Sequence, residues 1–170
     1  MKSNYKSYNK ILVIRLSSIG DVLLTTPVLK ILKQVYPNSK ISFLVESKSA
    51  GIIKNNQYLD QTIVFNKDKL ENIYQKEGLI KVLKYLKQVI KNIRSRDFDL
   101  VLDLHSVFRS TIFSCFASPD KSIGFNKQLI SVLYSSKVKP RVEDHVVDEY
   151  LTLLKPLGIN VKQVNHEIKF

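Results

Sequence analysis

Apolar residues follow two rhythms along this chain. Short, nearly unbroken runs recur at 11–16 (ILVIRL), 41–45 (ISFLV), 62–65 (TIVF), 100–104 (LVLDL) and 122–125 (SIGF). Between them, apolar positions fall three or four apart. Leu24, Val28, Ile31, Leu32 and Val35 do so within 22–36, and Leu79, Leu83, Leu86, Ile90 and Ile93 within 79–96. The unbroken runs predict strands covered on both faces, because a strand with one wet face alternates. The second rhythm predicts helices over 22–36 and 79–96. Shorter helices are predicted over 49–55, 111–117 and 144–157, with Pro37-Asn38 ending the first long helix and Gly158 the last. Strands that alternate with helices make this an α/β protein: a Rossmann-like parallel sheet with helices on both faces.

Composition narrows the class. A chain of 170 residues, 44% hydrophobic and 25% charged, builds one buried core. The opening MKSNYKSYNK is polar and reads as a flexible tail over 1–9, not as a secretory signal. No apolar run reaches the roughly 18–20 residues of a membrane span. Cys115 is the one cysteine, which excludes an internal disulfide and fits a reducing, cytoplasmic compartment.

Charge opens the question of partners. The formal net charge of +12 attracts polyanions of any kind, whether nucleic acid, anionic lipid or phosphorylated substrate. Lys81, Lys84, Lys87, Lys91 and Arg94 give the helix over 79–96 a basic polar face. That face is either ordinary solvated surface or a surface attracted to the anionic inner membrane. Signatures of nucleic-acid recognition are missing, so no specific nucleic acid is expected as partner.

The candidate chemistry starts after the first strand, where the chain reads Ser17-Ser18-Ile19-Gly20-Asp21. The loop has one glycine and no following Gly-Lys, so it matches neither the dinucleotide fingerprint nor a P-loop, which leaves a dehydrogenase far behind. Asp21 is placed either to cap the next helix or to act at the mouth of the sheet, where α/β proteins keep their ligands. Asp97-Phe98-Asp99 precedes the fourth strand, at the wrong end of the sheet for a metal site, and reads as a solvated turn. His/Cys spacing suited to a metal is not found.

The stretch ILVIRLSSIGDVLLTTPVLKILKQVYPNSKISFLV resembles the opening of the lipopolysaccharide heptosyltransferases, glycosyltransferase family 9. The likeness continues in order through Asp103-Leu104-His105-Ser106, Arg109-Ser110, Ile123-Gly124-Phe125 and His145-Val-Val-Asp148, over about residues 9–158. Where the family usually has Gln-Gly, this chain has His105-Ser106.

The resemblance implies the N-terminal, acceptor-side half of a two-domain GT-B enzyme, spanning 10–170, with the C-terminal nucleotide-sugar domain absent. The closing VNHEIKF reads as the start of a further element. The implied reaction is inverting sugar transfer to lipopolysaccharide inner core or a related glycan, and the isolated chain is expected to be inactive. Asp21 is the implied catalytic base. Ser17, Ser18, Gly20, His105, Ser106 and Arg109 are the implied substrate-binding residues. Ordinary turn chemistry also accounts for Ser17, Ser18 and Gly20, as a structural role does for His105 and a surface position for Arg109. His145 matches the family's late histidine and is equally a helix cap, whereas His166 carries no motif. No metal or cofactor is implied; the donor is ADP-heptose or another nucleotide sugar. A lipid-linked or phosphorylated glycan is the implied acceptor, met in the cytoplasm or at the inner face of its membrane. The competing expectation is a noncatalytic basic module that binds nucleic acid or anionic membrane.

Overall fold

The computed structural model describes residues 6–140 and 145–160. Its centre is a sheet of β1 (Lys10–Arg15), β2 (Lys40–Glu46), β3 (Gln61–Phe65), β4 (Leu100–Asp103), β5 (Lys121–Phe125) and β6 (Ser136–Val138). Every pairing is parallel, in the spatial order β3-β2-β1-β4-β5-β6. The order reverses between β1 and β4, so a crevice opens there beyond the carboxyl ends of the strands.

Seven α-helices are described: α1 (Ile19–Leu23), α2 (Thr26–Val35), α3 (Ser47–Ile53), α4 (Lys67–Glu77), α5 (Leu79–Arg94), α6 (Phe108–Ala117) and α7 (Val146–Thr152). Alternation along β1 feeds two cores. Ile11 and Val13 pack with Val28, Ile31 and Leu32 of α2 and with Tyr150 of α7. Leu12 and Ile14 pack with Ile93 of α5 and Phe113 of α6. All four β1 residues are fully buried, as expected for a strand covered on both faces.

The helix expected over 22–36 is two helices. Pro27 has no amide hydrogen for a carbonyl four residues back, so it stands in the first turn of α2 rather than inside one long helix. The Thr25 hydroxyl donates to the Val22 carbonyl at 2.6 Å and the Thr26 hydroxyl to that of Leu23 at 2.8 Å, which satisfies the end of α1. α4 was not expected because it buries no residue and so has no apolar stripe. It starts where Asn66 accepts from the Lys69 amide at 2.8 Å.

α6 begins at Phe108 and not at 111, so Arg109 and Ser110 stand in its first turn rather than in a loop before it. The short edge strand β6 was also not expected. Of the helix expected over 144–157, Asp144 lies outside the described residues. α7 stops at Thr152, and a 3-10 turn at Lys155–Leu157 contains Pro156 and ends at Gly158, whose φ is 79°. His166 and the closing VNHEIKF also lie outside the described residues.

The expected tail over 1–9 is too long at its inner end. Tyr8 is buried and meets Tyr36 edge-on with ring centroids 5.6 Å apart. The Asn9 and Lys10 amides donate to the Asp99 carboxylate at 2.7 and 3.0 Å. Asp97-Phe98-Asp99 is therefore more than a solvated turn: Phe98 is buried and Asp99 anchors the start of β1. Among the described residues, no group of three or more His, Cys, Asp or Glu side chains could hold a metal ion.

Candidate functional site

Each of the three strands at the switch point ends on a charged residue: β1 on Arg15, β2 on Glu46 and β4 on Asp103. All three are buried. A buried charge is retained only when it is paired or hydrogen-bonded, so the partners of these residues define the crevice.

Arg15 lies beneath the loop after β1. Its Nη1 donates to the Leu104 carbonyl at 2.7 Å, its Nη2 is 3.4 Å from Asp21 Oδ1, and its guanidinium lies 5.0 Å from the centre of the Tyr150 ring. Asp21 is the third residue of α1 and not its cap; the cap position belongs to Ser18. The Ser18 hydroxyl turns to Asp21 Oδ2 at 2.8 Å, and the Ser17 hydroxyl donates to the same oxygen. Donation from Ser17 is the main cause that lowers the Asp21 pKa from its ordinary value; burial opposes it, while Ser18 and Arg15 reinforce it. With its side chain 34% exposed, this carboxylate is ionised, clamped and open to the crevice.

Gly20 was expected to permit a tight turn. It lies inside α1, is absent from the positive-φ glycines, and a side-chain carbon there would meet nothing within 4 Å. What the glycine provides is open space beside Asp21.

The loop after β4 is built on Asp103. This fully buried carboxylate accepts from the His105 and Ser106 amides at 2.9 and 2.8 Å, and from the Tyr134 hydroxyl at 2.7 Å. Burial is the main cause that raises its pKa. Ser106 is turned inward at φ 52°; its hydroxyl donates to the Asp103 carbonyl at 2.8 Å and accepts from the Phe125 amide at 2.7 Å. Thr111 holds the Tyr134 hydroxyl from the other side at 2.7 Å.

His105 stands among the charges of this site. Burial, followed by the guanidinium groups of Arg15 and Arg109, lowers its pKa from 6.5 to about 4, with Asp21 and Lys127 also within electrostatic reach. The ring is neutral at pH 7. Its Nδ1 and the Nε of Arg15 are buried and have no hydrogen-bond partner among the described residues.

Arg109 completes the rim. Its guanidinium is 3.5 Å from Glu46 Oε1 and 5.6 Å from the Phe65 ring centre, with the side chain 42% exposed. Lys48 pairs with the other Glu46 oxygen at 3.3 Å, and Lys127 pairs with Glu149 at 3.1 Å. His145 serves as the cap of α7, its Nδ1 accepting from the Val147 amide at 3.3 Å.

The fold thus brings Ser17, Ser18, Gly20, Asp21, His105 and Arg109 to one crevice, and draws Ser106 into the wall behind it. Arg15, Glu46 and Tyr134 are site residues that the sequence pattern did not single out, and Gly124 was named only within the Ile123-Gly124-Phe125 match. A charge ending an apolar strand was the available signal for Arg15 and Glu46. Tyr134 leaves no local signal.

The comparisons with known proteins agree with this architecture. A family model described as glycosyltransferase family 9 (heptosyltransferase) matches residues 86–170. Lipopolysaccharide heptosyltransferase 3 of Escherichia coli (strain K12) is 29% identical over 145 residues, covering 82% of this chain and 40% of that protein. The crystal structure of a family 9 glycosyl transferase from Veillonella parvula DSM 2008 superposes with a TM-score of 0.76 at 25% identity, over 93% of this chain and 44% of that one. Escherichia coli heptosyltransferase WaaC, solved with ADP-2-deoxy-2-fluoro heptose, shares the fold with a TM-score of 0.80 at 22% identity, over 93% of this chain and 51% of WaaC. This chain spans about 40% of the length of the curated relatives it matches.

Proposed function

Because the chain belongs to glycosyltransferase family 9, the heptosyltransferases, we propose that it forms the N-terminal, acceptor-binding domain of an inverting glycosyltransferase. The acceptor in this reading is the inner core of lipopolysaccharide or a related phosphorylated, lipid-linked glycan, met at the cytoplasmic membrane surface. The donor is ADP-heptose or another nucleotide sugar, bound mainly by a second domain, and the reaction needs no metal or cofactor. The observation that carries this reading is the ionised, partly open Asp21 carboxylate at the switch point of the sheet.

In the reaction, an acceptor hydroxyl oxygen bonds to the anomeric carbon while the bond from that carbon to the diphosphate breaks and the diphosphate keeps the electron pair. The hydroxyl proton passes to Asp21, which serves as general base. Ser17, Ser18 and Arg15 fix the carboxylate in one orientation and keep it deprotonated in the open site. They also weaken it as a base. Burial already pushes the other way, and an acceptor that covers the crevice strengthens that effect.

Arg109 meets the negative charge of the acceptor. One guanidinium edge rests on Glu46 while the exposed remainder grips a phosphate or carboxylate through paired hydrogen bonds. Neutral His105 offers a hydroxyl partner without adding charge, and Gly20 leaves room for a sugar beside Asp21. Ser106 acts by holding the loop that presents His105.

The test is a titration of the 170-residue chain with deacylated, phosphorylated inner-core oligosaccharide, followed by NMR. Saturable binding is expected, and Arg109→Ala should weaken it by roughly 10- to 100-fold, the loss typical of a charge-assisted contact. The same chain given ADP-heptose and acceptor should show no transfer. Turnover above a heat-killed control, or binding indifferent to Arg109, contradicts the acceptor-domain reading.

A further inference from the structure

Among the described residues, the outer face of α5 combines two features that a solvated helix has no need of together. Leu79, Ile80 and Leu83 crowd its first turns and are 65%, 71% and 65% exposed. Ile80, Lys84, Lys87 and Lys91 then follow at helical spacing on one exposed face. Glu77, the acid beside the helix start, is 3.5 Å from Lys81 and is compensated there. A groove of about 420 Å³ between α4 and α5 brings Lys69 to the same side as Lys84, Lys87 and Lys91. Apolar residues at one end of a helix and lysines along its face, with no acid in the stripe, fit an interfacial helix on an anionic bilayer.

The direction of α5 gives the surface its meaning. The Tyr85 hydroxyl accepts from the Asn66 amide and donates to the Asn66 carbonyl, both at 3.2 Å, so Tyr85 is level with the carboxyl end of β3. Further along, Arg96 bonds Gln61 at the amino end of that strand. Leu79 lies six positions before Tyr85, about 9 Å further along the helix. The apolar turns therefore project past the strand ends, on the side where Asp21, His105 and Arg109 open.

We propose that α5 is a membrane-docking element, with Leu79, Ile80 and Leu83 entering the boundary between headgroups and acyl chains of an anionic bilayer while Lys84, Lys87 and Lys91 meet lipid phosphates. A tilted helix, apolar end deepest, turns the crevice toward the membrane. The site then meets its acceptor at the headgroup layer. This orientation rests on the proposed glycolipid acceptor, whereas the docking surface stands on the residues of α5 alone.

The experiment is flotation of the 170-residue chain with vesicles of phosphatidylglycerol in phosphatidylethanolamine, and with phosphatidylcholine vesicles as the neutral comparison. Flotation is expected with the anionic vesicles only and weakens as salt rises. The combined K84Q, K87Q and K91Q chain should lose on the order of a hundredfold in partitioning. The combined L79S, I80S and L83S chain should also stay in solution while keeping wild-type far-UV circular dichroism, since all three residues are exposed. A dye on I80C, in a C115S background, should shift to the blue on adding anionic vesicles.

Three results overturn the proposal: no flotation at low salt, flotation that survives either triple variant, or DNA that displaces the vesicles with the same lysine dependence. Arg109→Ala separates the two readings. It should float like wild type while losing oligosaccharide affinity, so docking and acceptor recognition fail independently of one another.

Discussion

Asp21 owes its state to three neighbours within its own loop and strand, and each is separately removable. Ser17→Ala deletes the donor that does most to lower its pKa. In an NMR titration, the Asp21 carboxyl midpoint should move upward toward the ordinary value in this variant; an unchanged midpoint would show that Arg15 and Ser18 suffice. A lowered folded pKa stabilises the fold above the unfolded value and is lost as pH falls through the folded one. His105 also has a lowered pKa, near 4, but for a different reason: burial keeps the histidine neutral. Between pH 6.5 and about 4 the unfolded chain takes up a proton that the folded chain refuses, so stability declines as pH falls through that window. His105→Gln should flatten this decline in urea unfolding measured across the window; an identical pH profile would contradict it. At this scale the sequence was legible where partners are neighbours. Ser17-Ser18-Ile19-Gly20-Asp21 could be read as one unit because its contacts span three or four positions. Arg15 and Glu46 were not read, because Leu104 lies 89 positions from Arg15 and Arg109 lies 63 from Glu46.

Elements hold these residues in place through contacts that local pattern does not record. The 3-10 turn at Leu129–Leu133 leads into Tyr134, which lies across β5 to reach Asp103. It can do so because position 124 is glycine: a side-chain carbon there would be 2.3 Å from the Tyr134 ring. Gly124→Ala should therefore displace the ring and destabilise the protein by about 1–3 kcal/mol, in the range of overpacking. Tyr134→Phe keeps the ring but leaves a buried carboxylate one donor short, at a cost of about 1–3 kcal/mol. Thermal melts of both variants check this, and wild-type stability in either would mean that Tyr134 does not support the loop. Strands β1 to β5 were legible as apolar runs, and α5 as a stripe. α4 and β6 were not, the one because it buries nothing and the other because it is a three-residue edge strand. The break between α1 and α2 was visible in principle, since Pro27 sits one turn inside the pattern read as a single helix.

At the scale of the whole molecule, one parallel sheet sorts the chemistry to one end. The carboxyl ends of β1, β2 and β4 carry Arg15, Glu46 and Asp103, and beyond them stand Asp21 in α1, His105 in the loop after β4 and Arg109 in the first turn of α6. The amino ends are occupied by structural contacts such as Asp99 with Asn9 and Lys10. The alternating strand and helix patterns point to a Rossmann-like parallel sheet, so the end that holds the site could be foreseen, whereas the order β3-β2-β1-β4-β5-β6 is seen only in the structure. Its electrostatic details depend on which loops meet there, and these only folding brings together. The most direct test of the account is sugar transfer by the longest protein its gene encodes, with Asp21 intact and as Asp21→Asn. The substitution preserves shape and removes the proposed base. kcat should fall by roughly 10²- to 10⁴-fold while oligosaccharide binding and melting temperature stay close to wild type. Undiminished transfer by Asp21→Asn, or a loss explained by unfolding alone, would contradict it.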